Sequence, residues 1–268
     1  MDNDNQQPRL ESRVVTAGRG WAWIVEGARL FLRNPVTWLL MLLILYAGTK
    51  LVNLVPVLGL VAMLLMPVFL AGLMDGCKAL DEGRPLEISH LICGFRRNAV
   101  QLVTIGGIYL VGNVVILMIV VALGGEAIMT MARTLAKSSQ ITPQVAEQLQ
   151  AATLTIAQAA LIGTVVSLPL LMALWFAPLL SYFHGTKPLQ ALQSSLIACF
   201  RNTLPMCVYG LVLLVALMVL VPIGIKLGHY DLGVWLMTPA LVPSIYVSYK
   251  EIYATGASRT GAGEPPPR

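Results

Sequence analysis

The sequence predicts an all-α membrane protein: six transmembrane helices in three repeated units, each an interfacial amphipathic helix plus a transmembrane hairpin. Three observations predict it. Six apolar stretches are long enough to cross a bilayer, Lys and Arg fall mostly on one side of them, and an amphipathic segment ending in Arg-Asn precedes each pair.

Of the 268 residues, 57% are hydrophobic and only 12% charged, where a soluble domain carries about a quarter charged residues. So few charges cannot cover a water-exposed surface of this size. The apolar stretches recur from residue 36 to residue 252 with no soluble block between them. The expected organisation is a polar tail at 1–20, one membrane domain at 21–254 and a disordered tail at 255–268 ending in Pro265-Pro266-Pro267-Arg268. Asp2, Asp4 and Glu11 make the first twenty residues polar, so a cleavable signal is not expected and the first span serves as the insertion signal. Cys77, Cys93, Cys199 and Cys207 occur without CxxC spacing or a neighbouring His at ligand spacing, so neither a metal nor another cofactor is expected.

A helix needs about twenty residues, at about 1.5 Å each, to cross roughly 30 Å of hydrocarbon with its backbone satisfied. The stretches that meet this are Val36–Leu54, Val57–Met74, Ala99–Leu123, Ile156–Tyr182, Leu204–Ile225 and Leu232–Ile252. The first two form a hairpin broken around Asn53 and Pro56. Fourteen of the 18 Lys and Arg residues fall on the side of the N-terminus, leaving Lys50, Arg133, Lys137 and Lys226 opposite. Cationic loops are retained in the cytoplasm, so both termini are expected there. The segment from Gly124 to about Gln150 is the one sizeable outer loop expected, with Thr142-Pro143 capping the helix that follows.

The repeat rests on the segments before the odd-numbered spans. Trp21, Ile24, Val25, Ala28, Phe31 and Leu32 recur at helical spacing, while Glu26, Arg29 and Arg33 share the other face. Such a helix lies on the membrane with its tryptophans at headgroup depth. A second segment begins at Pro85, with Ile88, Leu91, Ile92 and Phe95 on one face, and a third at Pro188, with Leu189, Leu192, Leu196, Cys199 and Phe200. They end in Arg33-Asn34, Arg97-Asn98 and Arg201-Asn202, giving units near 21–80, 85–185 and 188–254. Prolines mark the even-numbered spans at Pro67, Pro169, Pro178, Pro239 and Pro243.

The candidate lipid-headgroup or interface anchors are therefore Arg33, Asn34, Arg97, Asn98, Arg201, Asn202, Trp21 and Trp23. Arginine holds a phosphate bidentately. Asn113, near the middle of the third span, is the intramembrane polar candidate, as helix glue or as a ligand group. His90 and His184 read as polar residues beyond the membrane, with no carboxylate or cysteine at catalytic spacing. No GxxxxGK[ST], HExxH or GxSxG motif and no paired carboxylates occur, so no catalytic residue is expected.

Trp21-Ala22-Trp23-Ile24-Val25-Glu26-Gly27, Phe31-Leu32-Arg33-Asn34-Pro35, Trp175-Phe176-Ala177-Pro178-Leu179 and Ala198-Cys199-Phe200-Arg201-Asn202 together resemble an uncharacterised family of proteobacterial inner-membrane proteins. The unit pattern is distantly similar to the membrane domain beside some bacterial glycerophosphodiester phosphodiesterases. The resemblance implies fold and location in the bacterial cytoplasmic membrane, with no activity to carry over. The expectation is a non-enzymatic organiser or accessory of membrane lipids or partner proteins, contacting anionic headgroups at the cytoplasmic face. Nucleic acid is not an expected partner. A small-molecule or lipid transporter is the alternative, and a membrane-embedded lipid enzyme a weaker one.

Overall fold

The computed structural model describes residues 11–52, 54–137, 142–229 and 231–253. The first ten residues, Asn53 and the tail expected at 255–268 lie outside them. Among the described residues the regular structure is helical: α1 (Arg19–Leu32), α2 (Pro35–Val52), α3 (Pro56–Asp81), a 3-10 turn (Ile88–Ile92), α4 (Cys93–Arg96), α5 (Ala99–Lys137), α6 (Pro143–His184), α7 (Pro188–Arg201), α8 (Thr203–Lys226) and α9 (Leu232–Tyr253). Six of these, α2, α3, α5, α6, α8 and α9, are long and apolar enough to cross a membrane. They form two compact units, one of the described residues up to Gly106 and from Met172 onward, the other Gly107–Leu171.

In the first unit α9 is the central element. Half of its spanning window is buried, against 6% for α8, and its mean hydropathy is the lowest of the six, 1.3 against 2.7. A helix walled in by protein need not be apolar, provided its polar groups find partners. Those of α9 do. Tyr209 and Ser244 share a hydrogen bond of 2.7 Å, Tyr253 donates to the Ser194 carbonyl at 2.9 Å, and the Tyr249 hydroxyl lies 2.6 Å from His184 Nε2.

Against α9 and α8 lies α1, closer than most helix pairs allow. A methyl group at Gly20 would sit 2.2 Å from the Pro205 carbonyl oxygen, and one at Gly27 would sit 2.5 Å from the Ser244 backbone nitrogen. Hydrogen in place of Cβ is what admits the contact. Gly20, Trp23, Gly27 and Leu30 are the buried residues of α1, while Trp21 and Leu32, from the stripe expected to meet lipid, remain exposed. Similarly, α7 turns Leu192 and Cys199 inward and leaves Leu189 and Phe200 exposed. Buried Ser195 bridges the α6 ladder, donating to the Met172 carbonyl at 2.7 Å and accepting from the Phe176 amide at 2.9 Å.

Several expectations are corrected. The segment after Pro85 is a 3-10 turn and a single α-helical turn, Ile88–Ile92 and Cys93–Arg96, not a full amphipathic helix. Its entry is fixed by a reciprocal cap, in which His90 Nδ1 accepts the Glu87 amide at 3.1 Å. The expected tail at 1–20 is tied in part: the Arg13 amide donates to the Ile252 carbonyl at 2.9 Å, and Asn202 brackets Arg13 and Val15.

The second unit replaces the expected outer loop with helix. Segments of α5 and α6 pair there, Gly112 facing the Leu170 side chain and Gly163 that of Val120. With 39 and 42 residues, α5 and α6 measure about 58 and about 63 Å, roughly twice the ~30 Å hydrocarbon core. Thr142-Pro143 does open α6 as expected, the Thr142 hydroxyl accepting the Val145 amide at 3.3 Å.

Candidate functional site

On α1, residues 19, 26, 29 and 33 recur at intervals of seven, three and four, which puts Arg19, Glu26, Arg29 and Arg33 on one face. The glycine contacts seat α1 so that this face looks toward the last turns of α9 and the end of α3. A cleft of about 420 Å³ results, lined by those four residues with Leu30, Asp81, Tyr246, Val247, Lys250 and Glu251.

Most of its polar groups are paired. Arg19 Nε reaches both oxygens of Glu251 at 2.7 and 2.9 Å, and Arg19 Nη2 reaches Glu26 at 3.0 Å. The fully buried Trp23 donates its indole N–H to Glu251 Oε2 at 2.6 Å. Across the cleft, Asp81 accepts from Lys250 at 2.5 Å and from the Tyr246 hydroxyl at 3.2 Å. Arg33 Nη1 donates to the Leu80 carbonyl at 2.9 Å, one of the carbonyls at the α3 terminus that lack a partner within the helix. Partial burial works against the Arg19 charge, but the hydrogen bond and charge of Glu251, with those of Glu26, outweigh it and raise its pKa above the usual arginine value.

A Burkholderia thailandensis protein named "Probable inner membrane protein" is 31% identical over 261 residues, covering 94% of both chains. The chain belongs to that inner-membrane protein family. No protein-family model and no solved structure matches it. Its six apolar helices agree with that membership: it is an integral inner-membrane protein.

The cleft gathers one of the three Arg-Asn arginines. Arg33 lines it; Arg97 and Arg201 do not. Arg97 instead donates to the Phe183 carbonyl at 3.4 Å and lies over the Tyr182 ring, while Arg201 is exposed. The asparagines serve the backbone. Asn34 Oδ1 accepts the Thr37 amide at 3.4 Å at the start of α2. Asn98, in the left-handed region at φ 55°, donates to the Ser181 carbonyl at 2.8 Å. Asn202 is fully buried, donating to the Ala198 and Arg13 carbonyls at 2.9 Å each and accepting from the Val15 amide. Of the tryptophans, Trp21 is exposed, while Trp23 is buried in the core and holds Glu251. Asn113 donates to the Tyr109 carbonyl one turn back on α5 at 2.8 Å, spending its N–H within its own helix.

Arg19, Asp81, Tyr246, Lys250 and Glu251 escaped sequence reasoning. Charges at span ends read as interfacial anchors, and nothing in their spacing announces that residues 19 and 251 are partners. His90, expected beyond the membrane, is buried with Nε2 3.8 Å from Asp75, a carboxylate fifteen residues earlier. Among the described residues no group of three or more His, Cys, Asp or Glu is placed to hold a metal ion.

Proposed function

We propose that this inner-membrane protein is a non-enzymatic organiser or accessory of membrane lipids or partner proteins, working through a basic rim on its cytoplasmic side. Both termini lie on that side, and the chain is built as three units of a short helix followed by a hairpin. The observation that carries this reading is the cleft beside α1, where four cationic side chains, Arg19, Arg29, Arg33 and Lys250, gather around three carboxylates. Basic side chains at the membrane surface each attract anionic headgroups by about 1 kcal/mol. The repeat draws support from two matching joints: α3 and α6 both end just before a glycine in the left-handed region, Gly83 at φ 76° and Gly185 at φ 66°, each followed closely by a basic residue and proline.

Two experiments test the proposal. Phospholipid co-purification and crosslinking of the wild type are compared with a variant lacking Arg33, Arg97 and Arg201; unchanged lipid and partner profiles count against it. Reporter fusions near Ser138 and at the C-terminus test orientation. The expected result is periplasmic-reporter activity at Ser138 alone, and activity at the C-terminus overturns the orientation.

A further inference from the structure

We infer that the cleft between α1 and α9 binds a single phosphate group between the guanidiniums of Arg29 and Arg33. This rests on the proposed lipid-facing role of the rim and names the chemistry of its ligand. The lining carries four cations and three carboxylates. Arg19 is shared by Glu251 and Glu26, and Lys250 is taken by Asp81. Every carboxylate of the lining thus has a cationic partner, and two guanidiniums, Arg29 and Arg33, are left without an acidic one among the described residues.

Their placement suits an oxyanion. Four residues apart on one helix, they project from adjacent turns on the same face, where like charges repel unless an anion lies between them. The bond from Arg33 Nη1 to the Leu80 carbonyl fixes the plane of that guanidinium and leaves its other N–H groups free to fork onto two phosphate oxygens. Leu30 and Val247 give the same cleft an apolar wall, against which the carbon skeleton of a phosphoester lies more favourably than water does. Trp23 and Tyr246 donate to Glu251 and Asp81 as well, so each of these two lining carboxylates is held by a neutral donor in addition to its cation. The ligand is a phosphate or phosphoester anion, presented by an anionic phospholipid headgroup or by a soluble phosphate.

The test uses the full chain released into detergent and native mass spectrometry with phosphatidylglycerol, phosphatidylcholine and, separately, glycerol phosphate. The wild type should retain one phosphatidylglycerol in preference to phosphatidylcholine, and R29Q/R33Q should bind it at least about tenfold more weakly while keeping its melting temperature. R29K/R33K, which preserves charge but not the fork, should be weakened as well, whereas R201Q should not; an unspecific electrostatic anchor would treat R29K/R33K as wild type. Displacement of the lipid by millimolar glycerol phosphate assigns a soluble source, and no displacement assigns the headgroup. Full retention by R29Q/R33Q, or no phosphate compound bound by the wild type, overturns the inference. A phosphate site lost in R29Q/R33Q, with R97Q/R201Q leaving lipid and partner profiles unchanged, sinks the broader proposal and leaves this one standing.

Discussion

Replacing Glu251 with alanine removes more than an ion pair. Its carboxylate joins Arg19, at 2.7 and 2.9 Å, to the indole of Trp23, at 2.6 Å, and that indole has no exposure at all. Stranding a buried N–H costs about 1–3 kcal/mol. The Arg19–Glu251 pair is partly exposed, 34% and 23% by side chain, so screening limits its loss to about 1 kcal/mol. The alanine variant should therefore be less stable by about 2–4 kcal/mol. Glutamine keeps an oxygen for the indole and loses only the charge, so Glu251→Gln should cost about 1 kcal/mol. Equilibrium unfolding in mixed micelles, followed by circular dichroism, measures both. In a Trp23→Phe background the gap between alanine and glutamine should close, because the donor that separates them is gone. Equal losses for the two substitutions, or a gap that survives Trp23→Phe, would refute the assignment of Glu251 as the acceptor of a buried indole.

Gly27→Ala drives a methyl group to 2.5 Å from the Ser244 nitrogen; overpacking against backbone should destabilise by about 1–3 kcal/mol even after the gain in helix propensity, read as a lower melting temperature, and an unchanged melt would mean that α1 is not seated there. The hydrogen bond from Lys50 holds the Asp231 carboxyl below the usual carboxylate range. Because the folded value lies below the unfolded one, the stabilisation is complete above about pH 4 and disappears as pH falls through the depressed value. Asp231→Asn should flatten that acid limb in thermal melts across pH, and an identical limb in the variant would dissociate it from Asp231. Burial pushes the Cys199 thiol up to about 12, so in a C77S/C93S/C207S background, which removes the exposed Cys207, maleimide at neutral pH should modify Cys199 only after unfolding in SDS; its labelling in the folded protein would contradict its packing against α6.

The spans were legible because hydrocarbon imposes one requirement on twenty consecutive residues, and all six begin or end near the expected positions. The start of α6 was legible in Thr142-Pro143, but the far end of α5 was not, since Gly124-Gly125 read as the start of a loop while the Ala, Met and Leu that follow favour helix. Half of the cleft was visible on α1, where Glu26, Arg29 and Arg33 share a polar face. Its other wall was hidden, because Asp81, Lys250 and Glu251 meet α1 only through tertiary packing. Trp23 was misplaced because tryptophan favours the membrane interface, whereas the glycines on either side of it open room in the core.

The bond between the Arg13 amide and the Ile252 carbonyl, 2.9 Å long, also constrains parity. Two backbone atoms in contact cannot stand on opposite shores of a ~30 Å hydrocarbon slab. The chain must therefore pass through the bilayer a whole number of round trips between them, whichever way it first enters. Five or seven crossings would leave that clasp open, and labels placed near Arg13 and near Ile252 should report the same compartment.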